Sequence, residues 1–406
     1  MGSKYPRSVR DCLPLWAVML EAVLIVLISV TSLGDQKRFT VAYQGFQDFT
    51  IMAVFGLGFL NSSLRRLGWS SVGFNLYMLV LAVQWAVLVD GLFFIIFNGN
   101  VPIKLNSMYS ATMSAVTVLI SAGMILGRAN LVQLTMMTLL EVTVVGVTRM
   151  VGWRFFYMEH HMDALVFPVF AAYFGLIVSW CLSRPLPEGA EEKAQMATSP
   201  SLFGMLGTLF LWIFWPSFNS APLDLPSEKR TVIFNTYFAL AVSAVTATCV
   251  SALAHPQGKI NMIHTHNAVL AGGVALSAPG HLISSPWVAM LLGLIAGLIS
   301  IGGAKCLVSF NQVLGIQDFS GVHYTFGLPG LLGVVAYLML LWNAKPSLID
   351  FQLLMGTAAF SSALILSLAS GLLTGLLLKL KIWRAPHETK LDDQTFWEFP
   401  HLAVGF

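Results

Sequence analysis

The chain has 406 residues, 56% of them hydrophobic and only 10% charged, with a mean hydropathy of +0.76, whereas soluble domains run near one-quarter charged. No soluble globule hides that much apolar surface, and a net charge of +3 supplies no basic stripe for phosphates, which excludes a nucleic-acid partner. No carboxylate stands with a Ser–His or Cys–His pair, so nucleophilic catalysis has no visible machinery and the chain does not read as an enzyme.

The sequence breaks instead into runs of roughly 20 apolar residues, each long enough to cross ~30 Å of hydrocarbon as a helix. A basic N-terminus with Lys4, Arg7 and Arg10 precedes a run that lacks a small-residue cleavage site, so the first span is retained. Spans are expected at about 12–32, 43–62, 71–94, 108–127, 131–150 and 164–183. A polar connector rich in Pro, Glu, Ala and Ser follows at 184–201. Further spans are expected at about 202–221, 233–253, 263–283, 286–304, 321–343 and 353–379, with a tail at 380–406.

The expectation is therefore an all-α polytopic membrane protein of about 12 transmembrane helices, folded as a single transmembrane domain. Fourteen Lys and Arg fall on the side of the N-terminus and eight on the other, which places both termini in the cytoplasm. Without the first and last spans, ten remain, and the connector divides them five and five. Five is odd, so the halves enter the bilayer from opposite sides as an inverted repeat, with the pathway at their interface. The sequon Asn61-Ser62-Ser63 falls at a cytoplasmic span end, so it should carry no glycan.

Small and polar residues inside the spans mark packing and candidate sites. Gly293-x-x-x-Gly297 and Gly371-x-x-x-Gly375 put glycines on one helix face, where backbones approach closely. Glu21, Asp48, Asp90, Glu141 and Arg149 lie at membrane depth, where an unpaired charge costs several kcal/mol. Asp48, Asp90 and Arg149 stand near span ends and can reach the interface. Glu21 and Glu141, read as buried carboxylates, point to hydrogen bonding between helices or to a role in a pathway. His264-Thr265-His266 has the wrong spacing for two ligands on one helix face, so no metal and no cofactor is expected. His323 lies well within a span, as hydrogen-bonded structure or as a proton relay. Cys12 and Cys181 are juxtamembrane and suit palmitoylation.

Several runs resemble the Rh branch of the ammonium transporter superfamily: 211–221 (LWIFWPSFNSA), 268–275 (AVLAGGVA) and 327–330 (GLPG). The termini, 4–10 (KYPRSVR), 12–16 (CLPLW), 381–383 (KIW), 385–388 (APHE) and 399–406 (FPHLAVGF), are similar to those of Rh blood-group (D/CE-type) polypeptides. The resemblance implies a trimer whose subunits each have a central pore, with a two-phenylalanine gate and a pair of midplane histidines. It also implies an erythroid plasma-membrane setting, assembly with the Rh-associated glycoprotein, linkage to an ankyrin-based membrane skeleton, and ammonium or ammonia transport by the complex.

Carried over residue by residue, the family's first pore histidine falls on Pro168 and its second on Phe326. The family's Asp, eight residues before the first of these, falls on His160. His323 matches a retained histidine. Of the gate, one position falls on Ala122 while Phe218 is kept. An imidazole pair can relay the proton of an ammonium ion, whereas proline and phenylalanine cannot. The resemblance thus implies a subunit with a degenerate pore, accessory to a conducting partner. A channel for ammonia or another neutral gas, such as carbon dioxide, is the competing expectation, because a neutral gas does not require the histidines.

Overall fold

The computed structural model describes residues 12–29, 39–63, 67–98, 103–158, 163–183, 198–223, 225–313, 318, 320–344, 349–383, 393 and 396–398. Most of the connector and His160 lie outside the described residues.

A backbone in hydrocarbon must satisfy its own hydrogen bonds, and a helix does so within one segment. Twelve long helices follow in order among the described residues: α1 (Leu13–Ser29), α2 (Phe39–Ile51), α3 (Gly68–Asn98), α4 (Leu105–Ala122), α5 (Leu131–Phe155), α6 (Asp163–Leu182), α7 (Thr198–Ser220), α8 (Pro226–Leu253), α9 (Met262–Ala275), α10 (Pro286–Val313), α11 (Leu328–Ala344) and α12 (Ile349–Leu378). Helix α2 continues through a π-helical turn, Met52–Leu57, and α11 is entered through another, His323–Gly327. Seven helices, α3, α5, α7, α8, α10, α11 and α12, are long and apolar enough to cross a membrane by length and composition alone.

Several expected boundaries differ, α10 running nine residues past its expected end to Val313, and two of the shifts fall at prolines. The span expected at 263–283 stops as a helix at Ala275 and resumes as a 3-10 turn, Pro279–His281, because Pro279 has no amide hydrogen to donate to the Ala275 carbonyl. Helix α8 starts earlier than expected, at Pro226, where proline's missing amide is one the first turn leaves unpaired anyway.

The halves share one packing scheme. In the first, α3 packs on α4 and α5, and α4 on α6; in the second, α8 packs on α9 and α10, and α9 on α11. Helices α2 and α7 hold corresponding places and cross where Gly207 meets the backbone of Gly56 and Leu60. This is the five-plus-five arrangement, with α1 against α3 and α12 against α6 and α5 as the extra helices.

Glycines make the close approaches expected of them. Gly272 of α9 and Gly293 of α10 both meet the backbone of Ala239 of α8, and a Cβ on Gly371 would sit 2.9 Å from the carbonyl oxygen of Phe174. Asn130 caps α5, exchanging hydrogen bonds of 2.9 Å with Gln133. Gln133 Nε2 then donates to Leu378 O at 2.8 Å, and Asn130 Nδ2 to Trp383 O at 3.1 Å. The cap of α5 thereby anchors the far end of α12.

The tail supplies another cap. The Asp393 carboxylate accepts from the Trp69 and Ser70 amides at 2.8 and 2.9 Å, and Trp397 stacks on Phe74 at 5.7 Å while its Nε1 donates to Ser70. Losing an N-cap costs about 0.5–2 kcal/mol, so Asp393→Ala should lower the thermal midpoint of the purified protein by a few degrees. An unchanged midpoint would show that the ring contacts hold the tail by themselves.

Candidate functional site: an aromatic column between the two halves

The halves meet along a file of aromatic rings. Helix α2 contributes Phe49, α7 contributes Trp215 and Phe218 one turn apart, and the π-turn before α11 contributes Phe326. Centroid separations run 5.3 Å from Phe49 to Phe218, 5.3 Å from Phe218 to Trp215 and 6.1 Å from Trp215 to Phe326, within the range of favourable ring pairs. Tyr109 of α4 continues the file beyond Phe49 at 6.2 Å. Phe49, Trp215, Phe218 and Phe326 are each no more than 2% exposed, so the file is almost wholly closed to water. Gly273 is what admits Trp215, since a Cβ there would lie 2.6 Å from the indole.

The positions of the expected histidine pair lie on neighbouring helices. Pro168 is buried within α6 and Phe326 within the π-turn. The two segments touch where Gly330 meets Val169 and Gly327 meets Ala172. His323 presents its ring edge-on to Tyr173 at 5.7 Å, and its buried Nδ1 has no hydrogen-bond partner among the described residues. The same holds for Nε1 of Trp215; an unsatisfied buried group costs about 1–3 kcal/mol.

The sequence reading missed Asp318. Its carboxylate accepts from the amides of Val322 and His323 at 3.0 and 2.9 Å and so caps the π-turn that carries His323 and Phe326. An Asp a few residues ahead of a new helix was the available signal. Gly321, at φ +73°, makes the turn between them, and a Cβ there would strike Tyr324 and Asn267. Burial pushes the Arg128 guanidinium in the α4–α5 turn down to about 10, and the Asp318 carboxylate pulls it back up. Arg128 donates to Ser179 of α6 at 2.6 Å.

Several expected site residues sit elsewhere. Ala122 ends α4 and leads to Gly123, which faces Asn61 and Val322. Phe218 packs on Phe49, which in turn stacks on Tyr109, a residue about 20 Å of helix rise from Ala122 along α4. The rings packed on Phe218 are Phe49 and Trp215. Glu21 is not buried but exposed on α1, because α1 packs inward through a single stripe. Glu141 is fully buried and accepts from Ser121 at 2.6 Å, with its other oxygen unpartnered among the described residues. Cys181, expected as juxtamembrane and modifiable, is buried with its side chain against Gly375 of α12. Cys12 is free and half-buried.

Charges expected near the interface turn inward. Arg149 donates to Asp90 at 2.5 Å, to Ser114 at 2.7 Å and to Ser110 O at 3.1 Å, with its guanidinium 5.3 Å from the Phe167 ring centre. Asp48 accepts from Ser217 at 3.1 Å. Asn61 is buried, which removes it as an accessible glycan acceptor. Among the described residues, no three His, Cys, Asp or Glu side chains come together to hold a metal ion.

Comparison with known proteins agrees with this architecture. The chain is 59% identical to an RH-like protein of Macaca mulatta and 57% identical to both the blood group Rh(CE) and Rh(D) polypeptides of Homo sapiens, covering all of each chain. The Rh50 protein of Nitrosomonas europaea, from a study of conduction by the Rhesus family of channels, superposes with a TM-score of 0.76 at 28% identity, covering 91% of this chain and 94% of that one. The Mep2 protein of Saccharomyces cerevisiae shares the fold, with a TM-score of 0.64 at 17% identity over 87% of this chain and 91% of that one. Residues 15–399 match the Ammonium Transporter Family, and with full-length relatives among the blood-group polypeptides the chain belongs to the Rh branch of that family.

Proposed function

We propose that this chain is a plasma-membrane subunit of an Rh complex whose own pore is closed, ammonium or ammonia passing through a partner subunit. The observation that carries this is the buried column of Phe49, Phe218, Trp215 and Phe326. It occupies the interface between inverted halves, where a pathway of this fold runs. Pro168 and Phe326 offer no titratable group at the two positions where proton relay would need them. The Rh-associated glycoprotein is the conducting partner, in a mixed trimer, and the assembly links to an ankyrin-based skeleton from its cytoplasmic face. Both termini are cytoplasmic, and the setting is erythroid.

Co-expression tests the assembly. The chain should co-purify with the Rh-associated glycoprotein and reach the cell surface poorly without it. Stable surface trimers of this chain in cells lacking that partner would overturn the accessory role.

A second reading is favoured by one observation: the Trp215 N–H within the column and His323 Nδ1 are buried without hydrogen-bond partners among the described residues. Groups left unsatisfied in this way suit a pore that opens to pass ammonia or carbon dioxide, and flux through the chain alone separates this reading from the first.

A further inference from the structure

Helix α1 is attached to the rest of the chain by one narrow stripe. Leu20, Leu24 and Ile28 pack on Tyr77, Leu81, Trp85 and Leu88 of α3 and on Leu139 of α5, and only Leu24 is buried. The remaining circumference is open: Leu15, Val18, Val23, Ile25 and Val26 are each more than half exposed. In a membrane this surface needs no cover, because lipid tails are as apolar as leucine.

Glu21 is the exception. It is the ninth residue of the 17-residue apolar helix Leu13–Ser29, about 12 Å of helix rise from either end, and so at the middle of the first expected span. It is exposed, and no described side chain makes a hydrogen bond or ion pair with it. Such a carboxyl costs several kcal/mol in lipid unless it is paired. It shares a face with Pro14, Val18 and Ile25, at the i, i+4, i+7, i+11 spacing that a second helix packs against.

We infer that this face of α1 docks a membrane-spanning helix of another polypeptide that places a lysine or arginine beside Glu21 at the bilayer midplane. Charge complementarity identifies the occupant: a carboxylate in hydrocarbon gains most from an opposite charge that is equally costly alone. A second copy meeting face to face through α1 would set two carboxylates against each other. The exposed part of α1 at that depth carries no basic or amide group. The docking face touches none of the column residues, so the inference stands or falls separately from the reading of the pore.

The test uses the full chain in lipid vesicles, labelled for energy transfer with synthetic leucine–alanine transmembrane peptides carrying a central Lys, Leu or Glu. The Lys peptide should associate at least tenfold more tightly than the Leu peptide, and Glu21→Leu should abolish that difference without changing the thermal midpoint, since the side chain is exposed. Val18→Cys, which keeps Glu21 and lies one turn away on the same exposed face, should form a disulfide, on addition of a thiol oxidant, with a peptide bearing Cys one helical turn from its Lys. Equal association of the Lys and Leu peptides, an unchanged preference in Glu21→Leu, or efficient Val18→Cys cross-linking between two copies of the chain would each overturn the inference.

Discussion

Vesicles reconstituted with this chain alone should take up methylammonium, and alkalinise in an ammonia gradient, no faster than empty vesicles. The expectation rests on packing and on chemistry together. Four rings, each no more than 2% exposed, fill the interface between the halves, and interiors packed at that density do not part without cost. Pro168 and Phe326 then remove any means of taking the proton from an ammonium ion. Pro168→His with Phe326→His should raise uptake above the empty-vesicle baseline in part, because His is smaller than Phe and restores the relay. Adding Phe218→Ala should raise it further by taking a ring from the middle of the file. Robust stopped-flow alkalinisation by the unmodified chain would show that neither histidine is needed and would establish the channel reading.

The Arg149–Asp90 pair should show the largest stability effect of any single polar change. The Arg149 side chain is 1% exposed and the Asp90 side chain 24%, so removing either partner strands the other at membrane depth. Breaking a buried pair costs about 3–5 kcal/mol, and the partial exposure of Asp90 places this one toward the lower end. Asp90→Leu and Arg149→Met should each lower the thermal midpoint sharply. The double variant should recover much of the loss, because replacing both charges by apolar groups leaves nothing unpaired. A double variant no better than the worse single one would mean that Ser114, Ser110 and the Phe167 ring, rather than Asp90, account for the stability.

Much of the architecture was legible one span at a time. Hydrophobicity over about 20 residues is a local property that lipid enforces directly, so twelve runs became twelve helices with most ends within a few residues. Two of the boundaries that moved did so at prolines, Pro279 and Pro226. Family resemblance located Pro168 and Phe326 on helices that do touch. It named Phe218 but not Phe49, the ring that stacks on it from α2, because a motif marks its own positions and not their neighbours in space.

What the sequence by itself determined is the number, order and apolar character of the helices, the odd split that inverts one half against the other, and the glycines at which backbones meet. Each follows from composition within one segment and from the demand that a backbone in lipid satisfy its own hydrogen bonds. The tertiary structure alone decided which side chains share the interior. It set Arg149 on Asp90 across 59 residues, turned Glu21 outward while Glu141 turned inward, and stacked Phe49 on Phe218 across 169 residues. A membrane helix that is apolar all round carries no periodic mark of its buried face, so its rotation and its partners are settled only when the helices pack.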